Sequence, residues 1–560
     1  MHQPALEPGL PPVPDFDAVA ERYRAFEKTL GGGSTVAAVE TVREWDALRR
    51  ELETWSSLTK LRFTQDTRDA AARAARQRVD EASAVIEGYD TSIKRRLTVS
   101  DARPSVSDAI GAHAFDLWEN DLVTYDPAIE ADLVAEAQLG ADYTQLMAGI
   151  EVDYAGEHLN LSGLQRFQSD PDRAIRHGAA AVQWNAIGDR AAELDDLFDR
   201  LVKLRDGIAR KMGFDGFIPL GYARMRRMDF DRAAVERYRE GIRTHVVPVA
   251  FDVAKRAATR LGIDDFARWD EQFLGLNPPP RPRGDAPWIV SQTIDGFAEL
   301  DGRLGDFARL MSERNLLDLV ARPGKAGGGY CTSFPTLGIP FVFSNFNGSS
   351  GDIEVLMHEL GHAFQMYRSR TLRSVDYLIP TMEAAEVHSM SLEFLSWPLM
   401  ERFFGEEADA YREQHLASRL LFLPYGVAVD HFQHLVYERP DATPAERHAM
   451  WKFVEQRYLP WRSYGDLQRP SEGAFWQGQS HIYRSPFYYI DYTLALCCAM
   501  QVWAQAGDDP AGTFERYAAL CARGGEAPFR TLVSDAGLVE PFDPSALPAI
   551  VAKARAVLAI

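Results

Sequence analysis

His358, Glu359 and His362 place two imidazoles and a carboxylate within five residues, in the order His-Glu-Leu-Gly-His. On an α-helix, residues four apart are separated by about 400° of rotation, so both rings leave one face a turn apart. That spacing lets two ring nitrogens reach one Zn2+ at about 2.0–2.1 Å each. Glu359 follows the first ring, close to the metal but not bound to it. From there its carboxylate can take a proton from a zinc-activated water. The chemistry this pattern suits is metal-assisted hydrolysis.

The surrounding residues say what must position these groups. Ile353, Val355, Leu356, Met357, Leu360, Ala363 and Phe364 are too apolar for a solvated helix. A buried helix carrying two histidines and a glutamate needs partners for them, and a metal satisfies all three. Asp352, after Gly348-Ser349-Ser350-Gly351, reads as an N-cap, so the helix is expected to begin near residue 353 with the motif in its second turn. A catalytic zinc usually takes three protein ligands and leaves the fourth position to water. Residues 381–393 read as a second helix, on which Glu383, Glu386 and Glu393 share a face. His388 points about 200° away from Glu386. One glutamate supplies the third ligand, and the others can orient a ligand histidine through its second ring N–H. Spacing alone leaves both Glu383 and Glu386 open.

Gly328-Gly329-Tyr330-Cys331-Thr332, Pro340 through Gly348, His358 through Gln365 and Glu383 through Phe394 together resemble the oligoendopeptidase F branch of the M3 (thimet oligopeptidase-like) metallopeptidases. The resemblance is clear from about residue 320 to 500 and weaker back to Leu61–Thr67. In that family the third zinc ligand follows the first histidine by 28 or so residues and precedes another glutamate by seven. Glu386 meets both conditions (386 − 358 = 28; 393 − 386 = 7). The resemblance thus implies His358, His362 and Glu386 as ligands of one Zn2+ per chain, with Glu359 as general base. It implies a mainly α fold, two helical lobes enclosing a deep substrate channel, with a small β-sheet beside the motif helix. Such a channel admits flexible peptides and excludes folded proteins. The implied activity is zinc-dependent endopeptidase cleavage of short, unfolded oligopeptides, as in peptide turnover.

Near the C-terminal end, His481 is followed by Tyr488, Tyr489 and Tyr492. Hydrolysis of a peptide bond builds an oxyanion, for which tyrosine hydroxyls and a histidine are suitable donors. On a helix beginning after Pro486, Tyr489 and Tyr492 would project together. The family has a His…Tyr-rich loop here that contacts the substrate carbonyl, and His481, Tyr489 and Tyr492 match it best, with Tyr488 an adjacent candidate. The alternative is that the tyrosines are core residues with satisfied hydroxyls. Pro340–Phe346 reads as a strand, either internal or at an edge able to pair with an extended peptide. The resemblance favours the edge. Gly327-Gly328-Gly329 is not a phosphate loop, since no Lys-Ser/Thr follows it.

The remaining chain fits these expectations. Its 560 residues carry 61 basic and 81 acidic side chains, a net charge of −20 that disfavours nucleic acid and anionic membranes as partners. Met1–Pro4 lacks a basic and apolar leader, and no apolar run approaches the ~18 residues of a membrane span, so a cytoplasmic location is expected. The four cysteines show no metal pattern and read as reduced thiols. Helical periodicity dominates, with clear stretches at 16–30, 36–56, 68–96 and 128–148, a short strand at 150–154, and a helix start at Asp170-Pro171-Asp172 with Asp170 as cap. Pro278–Pro282 reads as a polyproline connector. The expected division is an N-terminal helical lobe over 1–165 and a catalytic region over 166–560, packed as one body. Two other readings stay open: a zinc aminopeptidase or carboxypeptidase, for which no Gly-x-Met-Glu-Asn signature is present, and a non-catalytic peptide-binding protein, against which Glu359 argues.

Overall fold

The computed structural model describes residue 6, residues 9–274 and residues 279–560; Met1–Pro4 and Pro278 lie outside the described residues. The fold is mainly α, as the periodicity predicts. Helices cover Phe16–Leu30, Thr35–Gln65, Ala70–Thr98 and Glu130–Ala148. The first three start at side-chain caps, Asp15, Ser34 and Asp69, each accepting a backbone N–H of the first turn. The second runs on to Gln65, and beyond residue 56 Thr59 and Leu61 are still buried, so the added turns stay packed. The helix expected from Asp170 begins instead at Arg173, capped by Asp172. The Asp170 carboxylate accepts the N–H of Asp172 at 2.8 Å, so it shapes the preceding turn rather than the cap.

Five short strands occur among the described residues: β1 (Glu151–Tyr154), β2 (Glu157–Asn160), β3 (Leu317–Val320), β4 (Tyr330–Phe334) and β5 (Ile339–Phe346). β1 and β2 form an antiparallel hairpin, and the other three form a sheet in the order β3-β5-β4. β5 is therefore the central strand, parallel to β3 and antiparallel to β4. This corrects the expectation of an edge at Pro340–Phe346: that segment is paired on both sides, and the edge nearest the motif is β4. Ile339–Ser344 are buried accordingly, whereas Tyr330–Ser333 are half-buried.

The chain forms two compact units, each assembled from three stretches. The first comprises 1–122, 281–406 and 498–538; the second comprises 123–280, 407–497 and 539–560, so residue 165 falls inside the second. In the first unit the motif helix (Ser350–Ser369) packs against β4, β5 and a second helix, the glutamate helix (Met382–Leu395). Phe364 of the motif helix anchors this core against Phe307, Phe514 and Tyr517, at ring separations of 5.5, 6.4 and 6.2 Å. Arg49 and Asp376, paired at 2.8 Å and both nearly buried, tie the second N-terminal helix to the segment between the motif and glutamate helices. In the second unit, a 31-residue helix (Ala408–Glu438) meets, at Gly426, the first half of the tyrosine helix (Tyr489–Ala506), whose residues up to 497 belong to that unit. A β-carbon on Gly426 would lie 2.2 Å from Thr493 Cγ2, so only glycine allows that approach without displacement. The described cysteines are all free thiols, and no described helix is long and apolar enough to cross a membrane.

Candidate metal centre

The motif helix begins at Ser350, earlier than expected, with Ser349 at the cap position. Asp352 lies within the first turn, where its carboxylate accepts the N–H groups of Asn347 at 3.0 Å and Gly348 at 2.7 Å. It thus fastens the loop from β5 onto the helix rather than capping it. His358 is the ninth helical residue (358 − 350 + 1 = 9), which puts the motif in the third turn. Ile353, Leu356, Met357, Leu360, Ala363 and Phe364 are buried as predicted, while Val355 remains 36% exposed beside Gly329.

Gly361 explains how two helices can share one small site. A β-carbon there would lie 2.6 Å from Ser389 Cα and 2.8 Å from the His388 carbonyl oxygen. Without it, the backbones of the motif and glutamate helices come into contact. Glu386, one turn before Ser389, is thereby brought under both histidines: its Oε2 lies 3.3 Å from His358 Nε2 and 3.5 Å from His362 Nε2. One ligand atom from each of these three residues lies within 4.8 Å of the others. Of the two glutamates left open by spacing, Glu386 is the one that meets the rings; Glu383 is fully buried and outside this group.

The donor set fits a divalent metal. Glu393 Oε1 lies 2.8 Å from His358 Nδ1, which fixes the proton on Nδ1 and leaves Nε2 as a lone-pair donor. A neutral Nε2 facing a carboxylate oxygen is repulsive unless a proton or cation lies between them. The field agrees: burial opposes charge on His358, but Glu386 and Glu393 outweigh it and raise its pKa. Burial likewise pushes Glu386 up, yet the two histidines hold it well below the usual carboxylate range. Ser389 Oγ donates to Glu386 Oε2 at 3.0 Å and fixes its orientation.

Glu359 is buried, and its Oε2 has no hydrogen-bond partner. Burial raises its pKa, with the two histidines opposing. A buried carboxylate oxygen without a partner costs free energy unless something else occupies the site. Cys331 on β4 is raised first by burial and then by the charge of Glu359, so this strand runs near the carboxylate. His388 is fully buried, and burial, then His362, lowers its pKa to about 4. It stays outside the group.

His481, Tyr488, Tyr489 and Tyr492 belong to the second unit. They form one aromatic cluster, with His481 5.0 Å from Tyr489 and 5.9 Å from Tyr492, and with Tyr488 4.8 Å from Tyr492. The helix starts at Tyr489, three residues after Pro486, and its first turn carries Tyr489 and Tyr492 with ring centroids 5.6 Å apart. A buried ion pair, Arg227–Asp491 at 2.7 Å, holds that turn in place. Gln479 was not singled out by sequence, yet it bridges His481 Nδ1 and the Tyr425 hydroxyl at 2.8 Å each. Ser389 and Gly361 were also missed in these roles. Ser389 had a signal in its three-residue spacing from Glu386, and Gly361 had one as a glycine in mid-helix.

Comparisons with known proteins bear on this arrangement. The profile of Peptidase family M3 matches residues 303–550, and that of the Peptidase M3 N-terminal domain matches residues 12–125. A crystal structure bearing the name oligoendopeptidase F is 44% identical, with a TM-score of 0.92 over 98% of this chain and 97% of that one. PZ peptidase A, solved with an inhibitor, is 40% identical, with a TM-score of 0.93 over 98% and 97%. A protein from Bacillus anthracis str. Ames, also bearing the name oligoendopeptidase F, is 39% identical, with a TM-score of 0.89 over 99% and 98%. No curated protein sequence matches the chain.

Proposed function

The chain belongs to peptidase family M3 and is oligoendopeptidase F-like, a metalloendopeptidase, and from that premise we propose that it uses one Zn2+ to hydrolyse internal bonds of short, unfolded oligopeptides. The observation that carries the proposal is the convergence of His358 Nε2, His362 Nε2 and Glu386 Oε2 beside the unpartnered Glu359 Oε2. Those three residues would hold the metal, with Glu393 orienting His358 and Ser389 orienting Glu386. Zinc, when bound, supplies Lewis acidity, polarising the scissile carbonyl and making a nearby water easier to deprotonate.

Everything else falls to the chain's own groups. Glu359 accepts the proton of the attacking water at its carboxylate and then delivers it to the departing amine. Burial raises the carboxyl above its ordinary value, which makes the acquired proton easier to hold until it is returned. His481, Tyr489 and Tyr492 donate N–H or O–H groups to the carbonyl oxygen as charge builds on it. The two tyrosines share one helical turn and His481 packs against Tyr489, which supports a common target. β4, as the edge strand, pairs with the extended peptide backbone, which would give binding with little demand on side chains.

The test is a chromogenic peptide blocked at both ends, assayed before and after chelation and again with added zinc. Cleavage at an internal bond that disappears on chelation and returns with zinc is expected. Release of terminal residues only, or activity indifferent to chelation, would contradict the proposal.

A further inference from the structure

The second unit contains a cavity of about 460 Å3, within the ~300–1,000 Å3 of small-ligand sites, whose described lining residues all belong to that unit. Three separate stretches build it, around residues 168–184, 268–274 and 418–489. Its wall is aromatic, with Trp184, Trp269, Phe422, Tyr425, Phe475 and Tyr489 among the lining. Among the described lining residues, two arginines and one glutamate supply its charge. Glu271 is engaged by Arg462 at both oxygens, at 2.8 and 2.7 Å, and both side chains are nearly buried. Burial pushes Glu271 up, but Arg462 and then Arg268 outweigh it, so it stays ionised.

That leaves an excess of donors. Arg268 approaches Glu271 only to 3.5 Å and its buried Nε has no hydrogen-bond partner, while its side chain as a whole remains 35% exposed. Arg462 Nη1 and Trp269 Nε1 are buried without acceptors. The other acid near Arg462, Glu455, is taken by Tyr464 and does not line the cavity. A cavity walled by aromatic rings, with one guanidinium unmatched by a carboxylate, suits an anionic group attached to an apolar or aromatic one.

The cavity also joins the tyrosine cluster. Tyr489 and Gln479 line it, and Gln479 holds His481. Tyr489 is raised by burial, with Arg268 and Arg462 pulling it down, so its hydroxyl shares the field of both guanidiniums. We propose that this cavity is a subsite for an anionic end of the bound peptide, its free C-terminal carboxylate or an acidic side chain, held by Arg268 while a neighbouring apolar side chain packs on Trp184, Trp269 and Phe422. The inference rests on the proposed reading of the tyrosine cluster as substrate-contacting.

The experiment compares kcat/KM for matched peptides ending in a tryptophan acid or a tryptophan amide, in wild type, Arg268→Gln and Arg268→Lys. Wild type should prefer the acid by about tenfold, mainly through KM, the scale of one charge-assisted hydrogen bond. Arg268→Gln should bring the ratio near unity, and Arg268→Lys should keep part of it. A second series of amidated peptides, with Glu or Gln at each position, identifies an acidic side chain as the source if the preference appears there instead. No preference for either anion in wild type, or a preference that survives Arg268→Gln, would overturn the proposal. Calorimetry with N-acetyltryptophan and its amide needs no turnover. Arg268-dependent binding of the acid by a wild-type protein that cuts no peptide would keep the subsite and refute the proposed activity. Normal hydrolysis without an Arg268-dependent preference would do the reverse.

Discussion

Replacing Gly361 with alanine adds one methyl group at the point where the motif and glutamate helices touch. In an open helix that change favours folding, by about 0.8–1.0 kcal/mol of helix propensity. Here the new carbon would sit 2.6 Å from Ser389 Cα and 2.8 Å from the His388 carbonyl oxygen. Both are backbone atoms of a buried helix and cannot rotate aside. Reaching an ordinary contact of 3.4 Å requires the helices to part by 0.8 Å (3.4 − 2.6). Overpacking of this kind costs about 1–3 kcal/mol, enough to exceed the propensity gain. The displacement also lengthens the 3.3 and 3.5 Å approaches of Glu386 to the histidines. A misplacement near 1 Å costs about 10²-fold in rate. Gly361→Ala should therefore lower Tm, weaken metal retention and reduce kcat/KM together. Gly207→Ala is the control, because nothing lies within 4 Å of that position in its helix, and its Tm should be unchanged or higher. A Gly361→Ala protein with wild-type Tm, metal content and rate would refute the account of how the site is built.

Glu386→Gln should lower zinc content at equilibrium, whereas Glu383→Gln should retain it; metal analysis of both variants decides, and loss only in the latter would reverse the assignment. Tyr492→Phe keeps the ring, so Tm should hold while kcat falls, by about 10²–10³ if its hydroxyl is an oxyanion donor. A core tyrosine would give the opposite, a lower Tm with normal turnover. Burial pushes Asp376 up, but Arg49 outweighs it and holds it well below the usual carboxylate range. A depressed folded pKa contributes stability above the unfolded value and loses it as pH falls, so Asp376→Asn should cost about 3–5 kcal/mol at pH 7. The gap from wild type should narrow below about pH 4, as thermal melts across that range would show.

The carboxylates of the candidate metal centre were legible in unequal degree. Two histidines at helical spacing place themselves, and Glu383, Glu386 and Glu393 could be shortlisted because a helix puts them on one face. Spacing alone did not separate Glu386 from Glu383; the family resemblance did, and the physical reason, the close approach of a second helix, depends on the absence of a side chain at Gly361. Asp352 and Asp170 were misassigned as caps for a shared reason. An aspartate accepting a backbone N–H has the same local signature whether the N–H belongs to its own helix or to the turn beside it. Pro340–Phe346 was recognisable as a strand, but not as a central one. Its partner Leu317–Val320 contains Asp318, which breaks the apolar pattern yet is matched by Lys325 at 2.9 Å. The interleaving of the two units left no composition break to find. The cavity, too, was invisible, since its lining comes from three stretches that only the tertiary fold assembles.

The central claim is that Glu359 moves the proton at a metal held by His358, His362 and Glu386. Its most direct test is Glu359→Gln, measured for zinc content and for hydrolysis of a doubly blocked peptide on one preparation. The amide is nearly isosteric but cannot accept the water proton near neutral pH. One zinc per chain, undiminished peptide binding and turnover lower by several orders of magnitude are expected. A variant that keeps its zinc and still turns over at a substantial fraction of the wild-type rate would contradict that claim.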